Sequence, residues 1–361
     1  MKNFKKVIAF MLLISVIFTF TACGFGKSNE SGELDKPGDS SAPVVTEPEK
    51  IKITDVMGRE VVLDEPAKKI VGTHNPSVSP AIVLGGGGKY IAGLGNKDMC
   101  RELYTLVIDD YDDIIQIGKG KQINLETVES VGADLAVFPE RFKDVVEEFG
   151  KIDVPIIVAL PNDESFDTVK KTLSIVGKAL GEDERADKIN AFFDKKIADA
   201  KAVSAKAKDK QKVLFLGSSS PLSVAPDAMI QTQLIEAAGG INAVSGVDVK
   251  GEFADVNIEQ IIAWNPDVIW CPAYAKYTIE SLLKDPAWSG IKAIKNKAIY
   301  EFPSALEPWD YPTASVALGV SWATHNLHPD LHSLDDLKKD ADEFYNLVYG
   351  KTFTLEQMGL K

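Results

Sequence analysis

The strongest constraint on this chain is that it contains one segment twice. INLETVESVGADLAVFPE, beginning at Ile123, aligns with VNIEQIIAWNPDVIWCPA, beginning at Val256. Asn124 falls on Asn257, Glu126 on Glu259, Asp134 on Asp267 and Pro139 on Pro272. Each copy reads as a helix, a turn ending in Asp, and a buried strand stopped by Pro. The copies start a domain's length apart, too far for a solenoid, whose repeats must bury their faces on one another. A second echo has a similar separation. KKIVGTHNPSVSPAIVLGGGG and QKVLFLGSSSPLSVAPDAMIQTQLIEAAGG both run strand, polar loop, helix, glycine stop. Duplicated strand–helix units predict an α/β chain with two lobes of one Rossmann-like design.

The stretch between the copies says how the lobes connect. Val169, Leu173, Val176 and Leu180 recur at helical spacing, as do Ile189, Phe192, Phe193 and Ile197. A break or kink is expected at Gly181-Glu182-Asp183. The expected order is an N-terminal lobe over 51–164, a long interlobe helix over 165–208, and a C-terminal lobe over 209–361 with a terminal helix near Leu334–Tyr349. A helical connection is stiffer than loops, so little lobe closure is expected. The folded part opens with a hairpin: Ile51, Ile53, Val61 and Leu63 flank a Met57-Gly58 turn. The Gly85–Gly88 run follows a helix and lacks a Gly-Lys-Ser/Thr ending, so it is a helix stop and not a phosphate loop.

The first residues suggest where the chain works. Lys2, Lys5 and Lys6 precede an apolar stretch from Val7 to about Thr19, too short for a comfortable membrane span. Thr21 and Ala22 then precede Cys23. The pattern resembles a bacterial lipoprotein signal over 1–22, with Cys23 acylated as the new N-terminus and anchoring the protein to the outside of the cell membrane. Phe20 departs from it, an aliphatic residue being usual there. Residues 23–50 are rich in Gly, Ser, Pro and acids and predict a disordered stalk. With 361 residues, 45% of them apolar, the chain can build two cores. A net charge of −13 without clustered basic residues argues against nucleic acid. Cys100 and Cys271 fall in different lobes with no Cys or His at ligand spacing, so free, buried thiols and no metal site are expected.

TDVMGREVVLDEPAKKIV, the two Asn-x-Glu helices, and the Asp-led strands that follow them resemble the helical-backbone class of ABC-importer substrate-binding proteins over 51 to about 349. Members of that class bind iron-siderophores, haem, cobalamin and some oxyanions. The resemblance implies a ligand cleft between the lobes, and an ABC permease dimer with its ATPase as partner. It implies a metal chelate as cargo, ferric siderophore first, then cobamide or haem, with molybdate or tungstate as the alternative. No bound cofactor is implied. In that class an acidic residue on each lobe docks onto permease arginines, and Glu126 and Glu259 match those positions. The helix N-terminus alone would also favour a glutamate at each place.

Ligands of open α/β sheets meet the loops at the carboxyl ends of strands. In the first lobe these are Thr73–Pro76, Asn96–Arg101 and Pro139–Arg141; in the second, Ser218–Pro221, Ala273–Lys276 and Leu306–Tyr311. From them His74, Asn75, Arg141, Ser219, Tyr274, Trp309 and Tyr311 are the candidate ligand contacts. Arg141 offers a planar fork for carboxylates or phosphates, or it pairs with Glu140 or Asp144 on the surface. Tyr274, Trp309 and Tyr311 offer flat faces with polar tips, or they pack in the core at lobe edges. Ser219 and Ser220 also suit a helix cap. His325, His328 and His332 form an exposed cluster whose expected state is solvated, not metal-bound. No Gly-x-Ser-x-Gly, His-Glu-x-x-His or dinucleotide fingerprint occurs, so no catalytic residue is assigned and the chain is not read as an enzyme. A metallocluster enzyme of nitrogenase-like fold would need more cysteines. A ligand-sensing module would need an attached signalling domain.

Overall fold

The computed structural model describes residues 49–247, 249 and 252–360. The signal sequence, Cys23 and nearly all of the stalk lie outside the described residues. Among those described, no helix is long and apolar enough to cross a membrane.

The strands are β1 Ile51–Thr54, β2 Glu60–Leu63, β3 Ile70–Gly72, β4 Ile91–Gly95, β5 Ile115–Lys119, β6 Gln122–Ile123, β7 Leu135–Pro139 and β8 Ile156–Leu160, then β9 Lys212–Phe215, β10 Ser223–Val224, β11 Ile241–Asn242, β12 Ala254–Asp255, β13 Val268–Pro272 and β14 Ile299–Phe302. The helices used below are α1 Asn75–Gly85, α2 Arg101–Val107, α3 Leu125–Ser130, α4 Lys143–Phe149, α5 Phe166–Leu180, α6 Asp183–Ser204, α7 Ile230–Ala237, α8 Ile258–Trp264, α9 Ile279–Lys284, α10 Lys292–Lys295, α11 Val316–Leu327 and α12 Leu334–Tyr349.

Two sheets result. One has the order β6-β5-β4-β3-β7-β8 and the other β11-β9-β13-β14. Every pairing in both is parallel except β5 with β6. Strands β7, β8 and β13 are buried at every position, which is why they read as continuous apolar runs and not as alternating ones. The opening hairpin pairs Ile51 with Leu63 and Ile53 with Val61. Gly86 closes α1 in the left-handed conformation at φ 67°, with its N–H on the carbonyls of Ile82 and Val83.

The repeat has a physical meaning in both lobes. Asn124 and Asn257 cap α3 and α8, accepting from the N–H of Thr127 at 3.0 Å and of Gln260 at 2.9 Å. Asp134 accepts from the N–H groups of Lys68 and Lys69, at 2.8 and 2.9 Å, where β3 begins. Asp267 accepts from the N–H of Lys212 at 2.8 Å, where β9 begins. In each lobe the repeated aspartate therefore clamps the strand that follows it onto the first strand of the lobe's main sheet.

The connection between lobes is two helices, not one. Ser165 starts α5 with a capping box, and Gly181 ends it at φ 67°. Helix α5 packs on α1, β1 and β8 of the first lobe, whereas α6 packs on α11 and α12 of the second. One apolar core continues through both lobes, with Trp270, Trp309, Phe302 and Tyr345 among its largest members.

The three histidines of the C-terminal region are not a solvated cluster. His328 is buried and its Nε2 lies 2.8 Å from the Ala238 carbonyl oxygen; the Nδ1 of His325 lies 2.8 Å from the carbonyl oxygen of His332. The Nε2 of His332 meets the Ser321 hydroxyl at 3.0 Å. That hydroxyl belongs to a buried network: Lys196 on α6, 3% exposed, puts its Nζ 2.6 Å from Asp340 Oδ1 on α12, and Ser321 Oγ on α11 donates to Asp340 Oδ2 at 2.5 Å. Leaving a buried ammonium without any partner costs about 3–5 kcal/mol, but Asp199 also pairs with the Lys196 Nζ at 3.3 Å. Asp340→Ala is accordingly expected to lower the unfolding free energy by about 2–3 kcal/mol in urea titration, less than the full cost. A loss below about 1 kcal/mol, the value of an exposed pair, would show that the network does not tie these helices together.

Candidate functional site

The carboxyl ends of the two parallel sheets converge on a cavity of about 610 Å³ with walls from both lobes. The first lobe contributes Thr73, His74, Asn75 and Pro76 from the turn into α1, Asn96 and Met99 after β4, Lys119 and Gly120 after β5, Arg141 and Phe142 after β7, and Glu164 after β8. The second contributes Ser218 after β9, Met229 and Gln231 at the start of α7, Phe253, Tyr274 after β13, and Tyr311.

The first-lobe wall is organised around Arg141. Its guanidinium donates to Glu164 Oε1 at 2.9 Å and also contacts the Nε2 of His74. His74 Nδ1 lies 2.8 Å from the Ser77 hydroxyl. Burial, and then the charge of Arg141, hold the His74 pKa down near about 3, so the ring is neutral. A neutral ring facing a guanidinium accepts at Nε2, which assigns its proton to Nδ1 and the Ser77 bond. Asn75 donates to the Tyr104 hydroxyl at 2.7 Å. Lys119 brings a second cation to this wall, and no carboxylate pairs with it among the described residues.

Two helices start at the cavity from opposite sides. His74 precedes α1 and Met229 precedes α7; neither start is capped by a side chain, and neither first turn carries an acid. Helix N-termini favour negative charge. The floor beneath the second-lobe wall is acidic but enclosed. Tyr274 donates to Asp310 Oδ2 at 2.6 Å, and its ring meets Tyr311 edge to face at 5.4 Å. Asp310 is 0% exposed, and burial pushes its pKa up to about 6. Glu307, 5% exposed, is pushed up to about 7 by burial, against the opposing influence of the Ser315 and Tyr345 hydroxyls.

The structure gathers His74, Asn75, Arg141, Tyr274 and Tyr311 around one cavity. Two candidates stand elsewhere. Trp309 is 1% exposed, and its indole N–H donates to the Tyr345 hydroxyl at 3.1 Å. It packs in the core, where a large ring with one satisfied polar atom fits as well as at a cleft. Ser219 is exposed beside the lining residue Ser218 and does not line the cavity, and no helix starts there for it to cap. Glu126 and Glu259 stand in the first turns of α3 and α8, one on each lobe. Lys119, Glu164 and Gln231 were missed. Carrying the strand-end rule through to β5 and β8 would have found the first two. The second echo, laid over α1 and α7, would have found Gln231.

Residues 81–306 match the family described as "Periplasmic binding protein". The chain belongs to that family. Among curated relatives, the molybdate-binding protein MolA of Haemophilus influenzae is 21% identical over 83% of this chain and 91% of its own. The Fe(3+)-citrate-binding protein YfmC of Bacillus subtilis is 24% identical over 82% of this chain and 89% of its own. Among solved structures, a periplasmic solute binding protein from Veillonella parvula superposes with a TM-score of 0.74 at 22% identity, over 86% of this chain and 96% of that one. MolA with bound molybdate superposes with a TM-score of 0.72 at 18% identity, over 84% and 99% of the two chains. The two-lobed α/β fold that the duplication predicts, and the binding-protein fold that the resemblance implies, are thus the fold of these relatives.

The raised pKa of Glu307 has a consequence for stability. Its folded value, about 7, lies above the ordinary 4.5, so the folded state holds the proton more tightly than the unfolded chain. The stability this contributes is complete below pH 4.5 and is lost as pH rises through 7. The unfolding free energy is therefore expected to fall by roughly 3 kcal/mol across this range on account of Glu307. Glu307→Gln is expected to remove that part of the slope in denaturant titrations at successive pH values. An unchanged slope would mean that Glu307 is ionised in the folded protein.

Proposed function

We propose that this periplasmic binding protein is the extracytoplasmic solute-binding component of an ABC importer, and that its cleft captures a small anionic metal chelate. The observation that carries the ligand class is the convergence of Arg141, Lys119 and two acid-free helix N-termini on one cavity. Such a site suits clustered carboxylates or other oxyanionic groups. Its volume, about 610 Å³, lies in the range of sites for drug-sized ligands. Ferric catecholate siderophores and ferric citrate combine that size with that charge, and YfmC is named for the latter. Cobamide or haem would use the same volume with less of the charge. Solute capture, not catalysis, also accords with the family and with the relatives' printed names. Cys23 would tether the protein outside the cell membrane.

A second reading rests on the helix N-termini themselves. A helix start from each lobe at one cavity suits a tetrahedral oxyanion such as molybdate or tungstate, although Pro76 leaves α1 fewer N–H donors than α7. Calorimetric titration separates the readings. Ferric citrate, a ferric catecholate siderophore, cobalamin, haem and molybdate are added in turn to the metal-free protein. A ferric chelate binding at micromolar strength or tighter, and molybdate not, is the expected result. The reverse order establishes the oxyanion reading, and no binding tighter than about millimolar removes both. In either case Arg141→Ala is expected to weaken binding at least about tenfold, the loss of one charge-assisted hydrogen bond.

Glu126 and Glu259 are assigned to permease docking. They occupy equivalent places on the two lobes, as two like pockets of a dimeric permease would require. The double variant Glu126→Ala with Glu259→Ala is expected to keep its fold and ligand affinity while uptake in cells is abolished. Normal uptake at normal protein level would return both residues to stabilising their helix starts.

A further inference from the structure

Asp310 lies directly under the second-lobe wall and touches the cavity only through other residues. Its Oδ2 accepts from the Tyr274 hydroxyl at 2.6 Å, and its main-chain carbonyl accepts from the Gln231 side chain at 3.0 Å. Both of those residues line the cavity. Its Oδ1 is buried without a hydrogen-bond partner. The titratable groups that face it are Tyr274 and Tyr311; α7 presents the uncharged Gln231. Among the described residues no cation pairs with this carboxylate, although it is fully buried. A buried carboxyl so placed is held by a single phenol.

A phenol hydroxyl has one hydrogen. While Asp310 is ionised it can only accept, so that hydrogen is committed downward to Oδ2 and Tyr274 can offer the cavity only lone pairs. When Asp310 is protonated it can donate to the Tyr274 oxygen, and the Tyr274 hydrogen is released to donate to a ligand. We infer that Asp310 is a positioning residue that sets the hydrogen-bonding polarity of Tyr274, so that an anionic ligand is bound by the form carrying a proton on Asp310. This rests on the anionic-ligand reading above. The proton is taken from solvent on binding and returned on release, and no other bond changes. The neutral carboxyl also removes a negative charge from beneath the ligand. The raised pKa, about 6, places the change within reach of modest acidification.

The test uses the full folded domain and two probes, ferric citrate and molybdate. Affinity is measured by calorimetry from about pH 5.5 to 8 for wild type, Asp310→Asn and Tyr274→Phe. Taking each variant relative to wild type cancels the ligand's own ionisation. Wild-type affinity for whichever probe binds is expected to fall by up to about tenfold per pH unit above the Asp310 titration. Asp310→Asn is expected to lack that component, and Tyr274→Phe to show a smaller one shifted to higher pH. The same pH profile in wild type and both variants would overturn the inference.

Carboxyl-carbon NMR on the unliganded protein decides the case without a ligand. One aspartate resonance is expected to titrate near about 6, to vanish in Asp310→Asn, and to move upward in Tyr274→Phe, which removes the donor to the carboxylate. A titration in the ordinary range, or one indifferent to Tyr274→Phe, overturns the inference. If neither probe binds at any pH, the ligand class fails, and the NMR titration alone decides whether Asp310 and Tyr274 are coupled.

Discussion

Both lobes depend on one small interaction, a carboxylate that reaches back to the start of the neighbouring strand. Parallel strands cannot be joined by a tight turn, so something other than the connection must set their register. In this chain Asp134 does it for β7 against β3, and Asp267 for β13 against β9. The main chain reinforces each clamp, with the Asp134 N–H on the Lys69 carbonyl at 3.0 Å and the Asp267 N–H on the Lys212 carbonyl at 2.8 Å. Once those strands are in register, Pro139 and Pro272 end them at the same height. The loops that follow then fall on the same edge of each sheet, and the cavity lies where the two edges meet.

Burial shapes the chemistry of that cavity more than the count of charges does. The chain carries a net charge of −13, yet its cleft presents Arg141, Lys119 and two positive helix ends. Asp310 and Glu307, beneath the second-lobe wall, are enclosed, which raises their proton affinity and mutes their negative charge, whereas Glu252 on the wall itself is exposed. On the opposite wall the same force acts on an imidazole with the opposite sign, keeping His74 neutral beside a guanidinium. One physical effect, desolvation, thus lowers the negative charge at the floor and avoids a second positive charge next to Arg141.

Much of this was legible in the sequence because it is local or duplicated. Helix starts at Asn124, Ser165 and Asn257, the glycine stops at Gly86 and Gly181, and the opening hairpin all follow from residues within a few positions of one another. The strand-end rule located the cleft loops for the same reason. What was not legible depends on partners far away in the chain. Trp309 has the amphipathic ring of a cleft residue, but its N–H is taken by Tyr345 on the terminal helix. Arg141 has acids beside it in sequence, yet its partner is Glu164, on the next strand's loop. His328 next to Pro329 suggests an exposed turn until the carbonyl of Ala238 is found against its ring.

The last helix, α12, belongs to the second lobe in sequence but finishes on the first. Arg185 donates to the carbonyls of Leu347 and Val348 at 3.3 and 2.7 Å while also reaching the Val83 carbonyl at the end of α1, and Lys351 reaches the carbonyl of Leu106. A ribosome makes the first lobe first, but these contacts exist only after the final turn of α12 has been made. The seam between the first lobe and the end of α12 is therefore the last part of the structure that synthesis makes available, and the two ends of the chain are held in one packing unit.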